Sequence, residues 1–278
     1  MDNFNLLARI FIFVLGSMVG SFLNVCIHRL PLGESVVWPG SHCARCSHPI
    51  PWYLNIPILS YVILKGRCRF CKGPISFRYI TVEILTAIAF LVFFIRFGMN
   101  FDFFFYALFC CCLIIATFVD FQHRIIPDEI SLGGIVAGFI LNAAKGFINV
   151  PQTYDLRPAM DSFLGIIAGG GIIFLMGFVF DIVYFKLLKK PPIQGETESM
   201  GGGDVKLLAM IGAFLGWKAA LLTFFIAPFL GIGVGLVNMV VKKDHLIPYG
   251  PFLSLAAIVN IFWGDKILDF VFLAQYYR

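Results

Sequence analysis

Two aspartates, 84 residues apart, stand at the edges of apolar runs in this chain. Asp120 closes one run, in Phe118-Val119-Asp120-Phe121-Gln122-His123-Arg124-Ile125-Ile126-Pro127-Asp128, and Asp204 opens another, in Gly201-Gly202-Gly203-Asp204-Val205-Lys206-Leu207-Leu208. An acid at mid-bilayer costs about 2.5–3.5 kcal/mol, so such groups usually face a cavity and usually serve a purpose. Two carboxyls crowded together cannot easily both ionise. One then keeps a proton while the other draws one from water, which is aspartyl protease chemistry, and the titration belongs to the pair. Structural roles compete with this reading. Asp204 suits a helix N-cap, and Asp128, after Pro127, suits a first helical turn. The Gly201–Gly203 run favours chemistry, because it leaves room for an extended substrate beside Asp204. Lys206 could tune the pair or position substrate, or could simply snorkel to the interface. Glu83 and Asp181 read as structural or site-lining groups.

The cysteines suggest a second kind of chemistry. Cys43-Ala44-Arg45-Cys46 and Cys68-Arg69-Phe70-Cys71 are Cys-x-x-Cys pairs separated by 21 residues, which suits four thiolates on a tetrahedron around zinc. Neighbouring Arg and Lys residues favour thiolate over thiol. Four sulfur ligands leave no open position, so the expected Zn2+ is structural. A disulfide framework is the competing reading, and a reducing cytoplasm argues against it. His42 and His48 are expected beside the metal and not on it. Cys110, Cys111 and Cys112 are consecutive, point around most of a helix circumference and read as packing.

These residues need elements to position them. The chain has 278 residues, 59% hydrophobic and only 13% charged, with 32 Phe. A soluble domain carries about 25% charge, whereas a bilayer demands runs of roughly 20 apolar residues. The sequence predicts an all-α polytopic membrane protein with about eight spans, near 4–27, 81–98, 102–119, 129–148, 160–186, 205–217, 219–241 and 250–273. The first is expected to be a retained helix and not a cleaved signal, since no small-x-small site follows it. The organisation expected is a first helix (1–27), a polar module (28–80) and a membrane domain (81–278), with a flexible loop over 187–204. No internal repeat is evident. Placing the 28–80 module in the cytoplasm and alternating across eight spans puts fourteen of the 21 basic residues inside, in line with the positive-inside rule. Both termini then fall outside, both aspartates lie at the cytoplasmic boundary, and the short sixth segment must cross. A net charge of +5 with scattered Lys and Arg excludes a nucleic-acid partner. A proton-coupled transporter is the alternative function, but the inverted repeats common in such proteins are missing.

Taken in order, the motifs resemble those of bacterial type IV prepilin peptidases, the leader peptidase/N-methyltransferases. The stretches are Gly20-Ser21-Phe22-Leu23-Asn24-Val25, Arg29-Leu30-Pro31, the two Cys-x-x-Cys pairs, and Ile75-Ser76-x-Arg78-Tyr79-x-x-Val82-Glu83. They continue with Asp120…Ile126-Pro127-Asp128, the Gly-x-Gly-Asp-x-Lys-Leu signature at Gly201–Leu207, and Pro248-Tyr249-Gly250-Pro251-Phe252. The resemblance selects Asp120 over Asp128 as the partner of Asp204 and implies a Gly-x-Gly-Asp aspartyl endopeptidase of the bacterial inner membrane. Its implied substrates are prepilins or pseudopilins, cut at the cytoplasmic face between a basic leader and an apolar helix. It also implies N-methylation of the new terminus with S-adenosylmethionine as donor. Methyl transfer is placed in the 28–80 module, with Gly66 and Arg67 as a carried-over Gly-basic pair, and Gly201, Gly203, Lys206, Asp128 and Glu83 are expected to line the site. Glu129, Glu196 and Glu198 could attract a basic leader, or could be solvated loop charges.

Overall fold

The computed structural model describes residues 2–149, 155–187, 201–241 and 248–273. All regular structure among these residues is helical: α1 (Asp2–Arg29), α2 (Leu59–Ile63), α3 (Phe77–Phe97), α4 (Phe101–His123), α5 (Asp128–Asn149), α6 (Arg157–Asp181), α7 (Gly202–Leu215), α8 (Trp217–Val241) and α9 (Gly250–Leu273). Apart from α2, each helix falls on one of the eight predicted spans. Six are long and apolar enough to cross a membrane: α1, α3, α4, α5, α6 and α9. The eight expected spans are therefore eight helices, of which six meet the length and composition of a full crossing. Lys189, Lys190, Glu196, Glu198, Lys242 and Lys243 lie outside the described residues.

The chain divides into two compact units, Met1–Val119 and Asp120–Arg278. In the first, α1 packs along α3. Gly16 and Gly20 make this possible, because a Cβ on either would sit 2.8 Å from the Cα of Ala87 or Glu83. This is the small-xxx-small contact by which membrane helices approach closely. Asn24 fastens the same seam, donating through Nδ2 to the Tyr79 carbonyl at 2.9 Å. At the end of α1, Arg29 donates to the carbonyls of Ser35 and Gly40 and so pins the turn that follows.

The second unit is arranged around α7, which packs on α5, α6, α8 and α9. Its residues Leu207–Phe214 are all buried. A helix that is apolar all round belongs inside a bundle, and that accounts for its length. At 14 residues it spans about 21 Å, short of the roughly 30 Å hydrocarbon core. It therefore ends among other helices, where its last carbonyls need partners. Asn142 of α5 donates to the carbonyls of Ala213 and Phe214, at 2.8 and 3.1 Å, and Ser162 of α6 donates to that of Ala213 at 2.7 Å. Gly216, at φ +83°, then turns the chain directly into α8. Two glycines of α6 are close-packing positions: Gly165 lies on Gly212 of α7 and Gly169 on the Leu208 carbonyl, whereas Gly171 meets nothing among the described residues.

Candidate functional site

Asp120 lies in the last turn of α4 and is 6% exposed. The chain leaves the helix through Arg124, at φ +55°, and Ile126-Pro127 leads into α5. Asp204 lies in the first turn of α7, its N–H bonded to the Gly201 carbonyl at 3.0 Å. The fold brings these acids close enough for the charge of Asp120 to act on Asp204. Such repulsion disfavours double ionisation.

A third strand of backbone completes the site. The N–H of Gly250, at the start of α9, donates to Asp120 Oδ2 at 3.0 Å. A Cβ at position 250 would sit 2.7 Å from that oxygen, so only glycine lets the amide approach. Ile126 fills the centre, 8% exposed, with its side chain where a Cβ on Gly203 (3.2 Å) or on Gly250 (3.4 Å) would intrude. The Tyr249 phenol is pushed up to about 12, first by burial and then by the charge of Asp204, so it stays protonated and can donate. Among the described residues, nothing approaches Gly202, and Gly201 meets only Asp204. Among those residues, Gly201 and Gly202 therefore leave open space beside the acid, while Gly203 is held against Ile126.

The other expected site residues separate into two groups. Lys206 Nζ pairs with Asp128 Oδ1 at 2.6 Å, joining the first turns of α7 and α5. Both are substantially exposed, so the pair is a modest tie of under about 1 kcal/mol. Glu83 belongs to the first unit, where it accepts the Ile58 N–H at 2.7 Å. Gly66 makes a turn at φ +65°, and Arg67 lines a basic cavity of about 430 Å³ with Leu64, Lys65, Cys68, Arg69 and Lys72. Sequence reasoning passed over Gly250 and Tyr249 as site residues, although both were quoted in the motif before the last helix.

The four cysteines of the Cys-x-x-Cys pairs converge, with their sulfurs all within 4.8 Å of one another. Zinc bound at about 2.3 Å from each sulfur sets sulfurs about 3.8 Å apart on a tetrahedron, so a small contraction would close the site on a metal. The two halves share one backbone design. Cys43 N–H bonds the His48 carbonyl, Ser47 N–H the Cys43 carbonyl and Ile50 N–H the Ser41 carbonyl. Cys68 to Gly73, Lys72 to Cys68 and Ile75 to Gly66 repeat these bonds at the same offsets. Ser47 and Lys72 both have positive φ, and the bridges His42–Pro49 and Arg67–Pro74 correspond. A short repeat, Cys-x-x-Cys-x-x-Pro-Ile, therefore exists where none was evident in the sequence. The His48 ring packs at a tilt against Phe70, centroids 3.7 Å apart, and is outside the four-sulfur cluster. The amides of Cys71 and Phe70 pull the Cys68 thiol down to about 7. The His48 amide acts in the same sense on Cys46, but burial and the thiols of Cys43, Cys71 and Cys68 outweigh it and push Cys46 up to about 11. Crowded sulfurs resist carrying several charges at once, and a divalent cation removes that resistance.

Comparison with known proteins agrees with both halves of the chain. Residues 14–97 match the family model described as the bacterial peptidase A24 N-terminal domain, and residues 107–236 match that of the type IV leader peptidase family. Relatives named prepilin leader peptidase/N-methyltransferase include one from Myxococcus xanthus, 37% identical over 85% of this chain but only 64% of its own length. Those from Aeromonas salmonicida and Pseudomonas putida are each 32% identical, covering 92% and 91% of this chain and 91% and 90% of theirs. No solved structure matches. With both family models matched in order, and relatives of this identity aligned over nearly their whole length, the chain belongs to the type IV leader peptidase family.

Proposed function

We propose that this integral membrane protein is an aspartyl endopeptidase that removes the basic leader from type IV prepilins or pseudopilins, with Asp120 and Asp204 as its catalytic pair. The observation that carries the reading is that Asp120, held by the Gly250 amide, lies close enough to Asp204 for its charge to act there. Because Oδ2 of Asp120 accepts from Gly250, the shared proton sits elsewhere. Asp120 then acts as base through its other oxygen and Asp204 as acid. Asp120 takes a proton from water as the water oxygen bonds to the scissile carbonyl carbon, and Asp204 gives its proton to the carbonyl oxygen. On collapse the C–N bond breaks and the amine leaves with the proton held by Asp120. Asp204 recovers its own from the hydroxyl, so no covalent intermediate forms. The open space at Gly201–Gly202 suits an extended backbone.

The reading extends to N-methylation of the new terminus with S-adenosylmethionine, supported by the names of the relatives. The 28–80 module, with Gly66 and Arg67, is the proposed methyl-transfer region, and 81–278 the peptidase domain. Cys43, Cys46, Cys68 and Cys71 would hold one structural Zn2+. The bias of Lys and Arg supports an inner-membrane location with the pair at the cytoplasmic face, where a substrate arrives laterally through the lipid. The test is cleavage of a prepilin peptide by the purified protein in detergent, with both products and terminal methylation followed by mass spectrometry. The expected result is one cut between leader and apolar helix; an intact peptide would end the proposal.

A further inference from the structure

We propose that residues 52–63, within the otherwise polar 28–80 module, are immersed in the bilayer against α1, and that the apolar groove between them holds a lipid acyl chain. The groove is a cavity of about 540 Å³, lined by Phe13, Val14, Ser17 and Met18 of α1 and by Trp52 and Asn55–Leu59 with Val62 opposite. Those α1 residues lie 11 to 16 positions before Arg29, where the helix ends, hence about 16–24 Å along its axis. A segment that meets them is at mid-membrane depth. Contacts from α3 also place the segment within the span, at a shallower point: Ile58 is bonded to Glu83, six positions into α3 and so about 9 Å along its axis, and Glu83 abuts Gly20.

The amides from Leu54 to Ser60 meet the donor side of the condition that lipid imposes. Irregular chain survives at such depth only when its polar groups are satisfied within the protein. From Leu54 to Ser60 every N–H has a partner. Leu54 and Asn55 bond the carbonyls of Pro51 and Trp52, and Leu59 and Ser60 those of Pro57 and Ile56. Ile56 bonds the Ser60 hydroxyl, Ile58 bonds the Glu83 carboxylate, and Pro57 has no N–H to satisfy. Ile58 adopts φ +63°, costly for a β-branched residue, and the buried Glu83 holds it there. This explains an acid in α3 without any role in the reaction. Outward from this scaffold point Trp52, Leu59, Val62 and Ile63, from 51% to 83% exposed. They continue the lipid-facing stripe of α1 formed by Leu7, Phe11, Val14, Met18 and Phe22, of which Val14 and Met18 also line the groove. This continuity is why lipid is the occupant.

The test uses full-length protein in phosphatidylcholine/phosphatidylglycerol vesicles whose acyl chains carry bromine. Trp52 fluorescence is taken as the difference between wild type and Trp52→Phe, and again from a variant in which Trp38, Trp217 and Trp263 are all Phe. Immersion predicts blue-shifted emission quenched at least twofold by bromolipid and little by aqueous iodide. Water-like emission quenched by iodide alone would overturn the proposal. A saturating peptide with a prepilin's apolar segment should leave the bromine quenching unchanged. If the peptide abolishes it, the groove belongs to substrate, and the assignment to lipid falls. Only this last arm uses the proposed substrate, and it reads binding and not cleavage.

Discussion

At the level of single residues, the pair of acids is set by the backbone around it more than by charged neighbours. Asp120→Asn and Asp204→Asn are each expected to lower prepilin cleavage by about 10³-fold or more, the scale of a lost acid or base, with unchanged detergent extraction and thermal midpoint. Near-normal cleavage in either would show the pair to be misassigned. Gly250→Ala tests the geometry with no change of charge. Its methyl would stand 2.7 Å from Asp120 Oδ2, so the carboxylate must move, and a displacement near 1 Å costs about 10²-fold in rate. Tyr249 separates position from titration. Since its proton is retained below about 12, Tyr249→Phe should lower the rate without moving either limb of the pH–rate profile. A shifted alkaline limb would mean that the phenol ionises during turnover. Of this site the two acids were legible from residue type, spacing and resemblance. The amide donor was not, because a backbone N–H leaves no mark in side-chain chemistry and the contact joins positions 130 residues apart.

At the level of elements, hydrophobic length carried most of the information. The run lengths placed eight helices, and even the shortness of α7 was visible. What could not be read was where α7 ends, because the partners of its final carbonyls sit on two other helices. Asn142→Leu removes donors to Ala213 and Phe214 in a place water does not reach. An unsatisfied buried carbonyl costs about 1–3 kcal/mol, so a clear loss of resistance to unfolding in detergent is expected, while Ser162→Ala should cost less because Asn142 still serves Ala213. Equal losses would show that the two donors do not share the work as described. The paired knuckles give the opposite lesson. Their common Cys-x-x-Cys-x-x-Pro-Ile pattern escapes notice in the sequence, because outside the cysteines, proline and isoleucine the two copies share little and only the matching turns reveal them as a repeat. Glu83 shows a limit of another kind. An acid inside a span suggests function, yet its carboxylate is committed to the distant Ile58 amide and the Ser21 hydroxyl.

For the whole molecule, the two kinds of chemistry occupy different compact units. Every group proposed to act in cleavage lies in Asp120–Arg278, and every sulfur of the cluster in Met1–Val119. Loss of metal should therefore be separable from loss of the acid pair. Cys43→Ser and Cys68→Ser, equivalent positions in the two knuckles, are expected to lose bound zinc alike, since three sulfurs hold it far less well than four. Because a structural zinc contributes on the order of 10 kcal/mol to a small module, both variants should become susceptible to proteolysis within residues 33–76. Asp120→Asn should retain zinc and resist the protease as wild type does. Metal analysis and limited proteolysis of the three proteins side by side decide the matter. A wild type without zinc would remove the metal from the account, and an Asp120→Asn protein that also lost zinc would show that the two units depend on each other for their integrity.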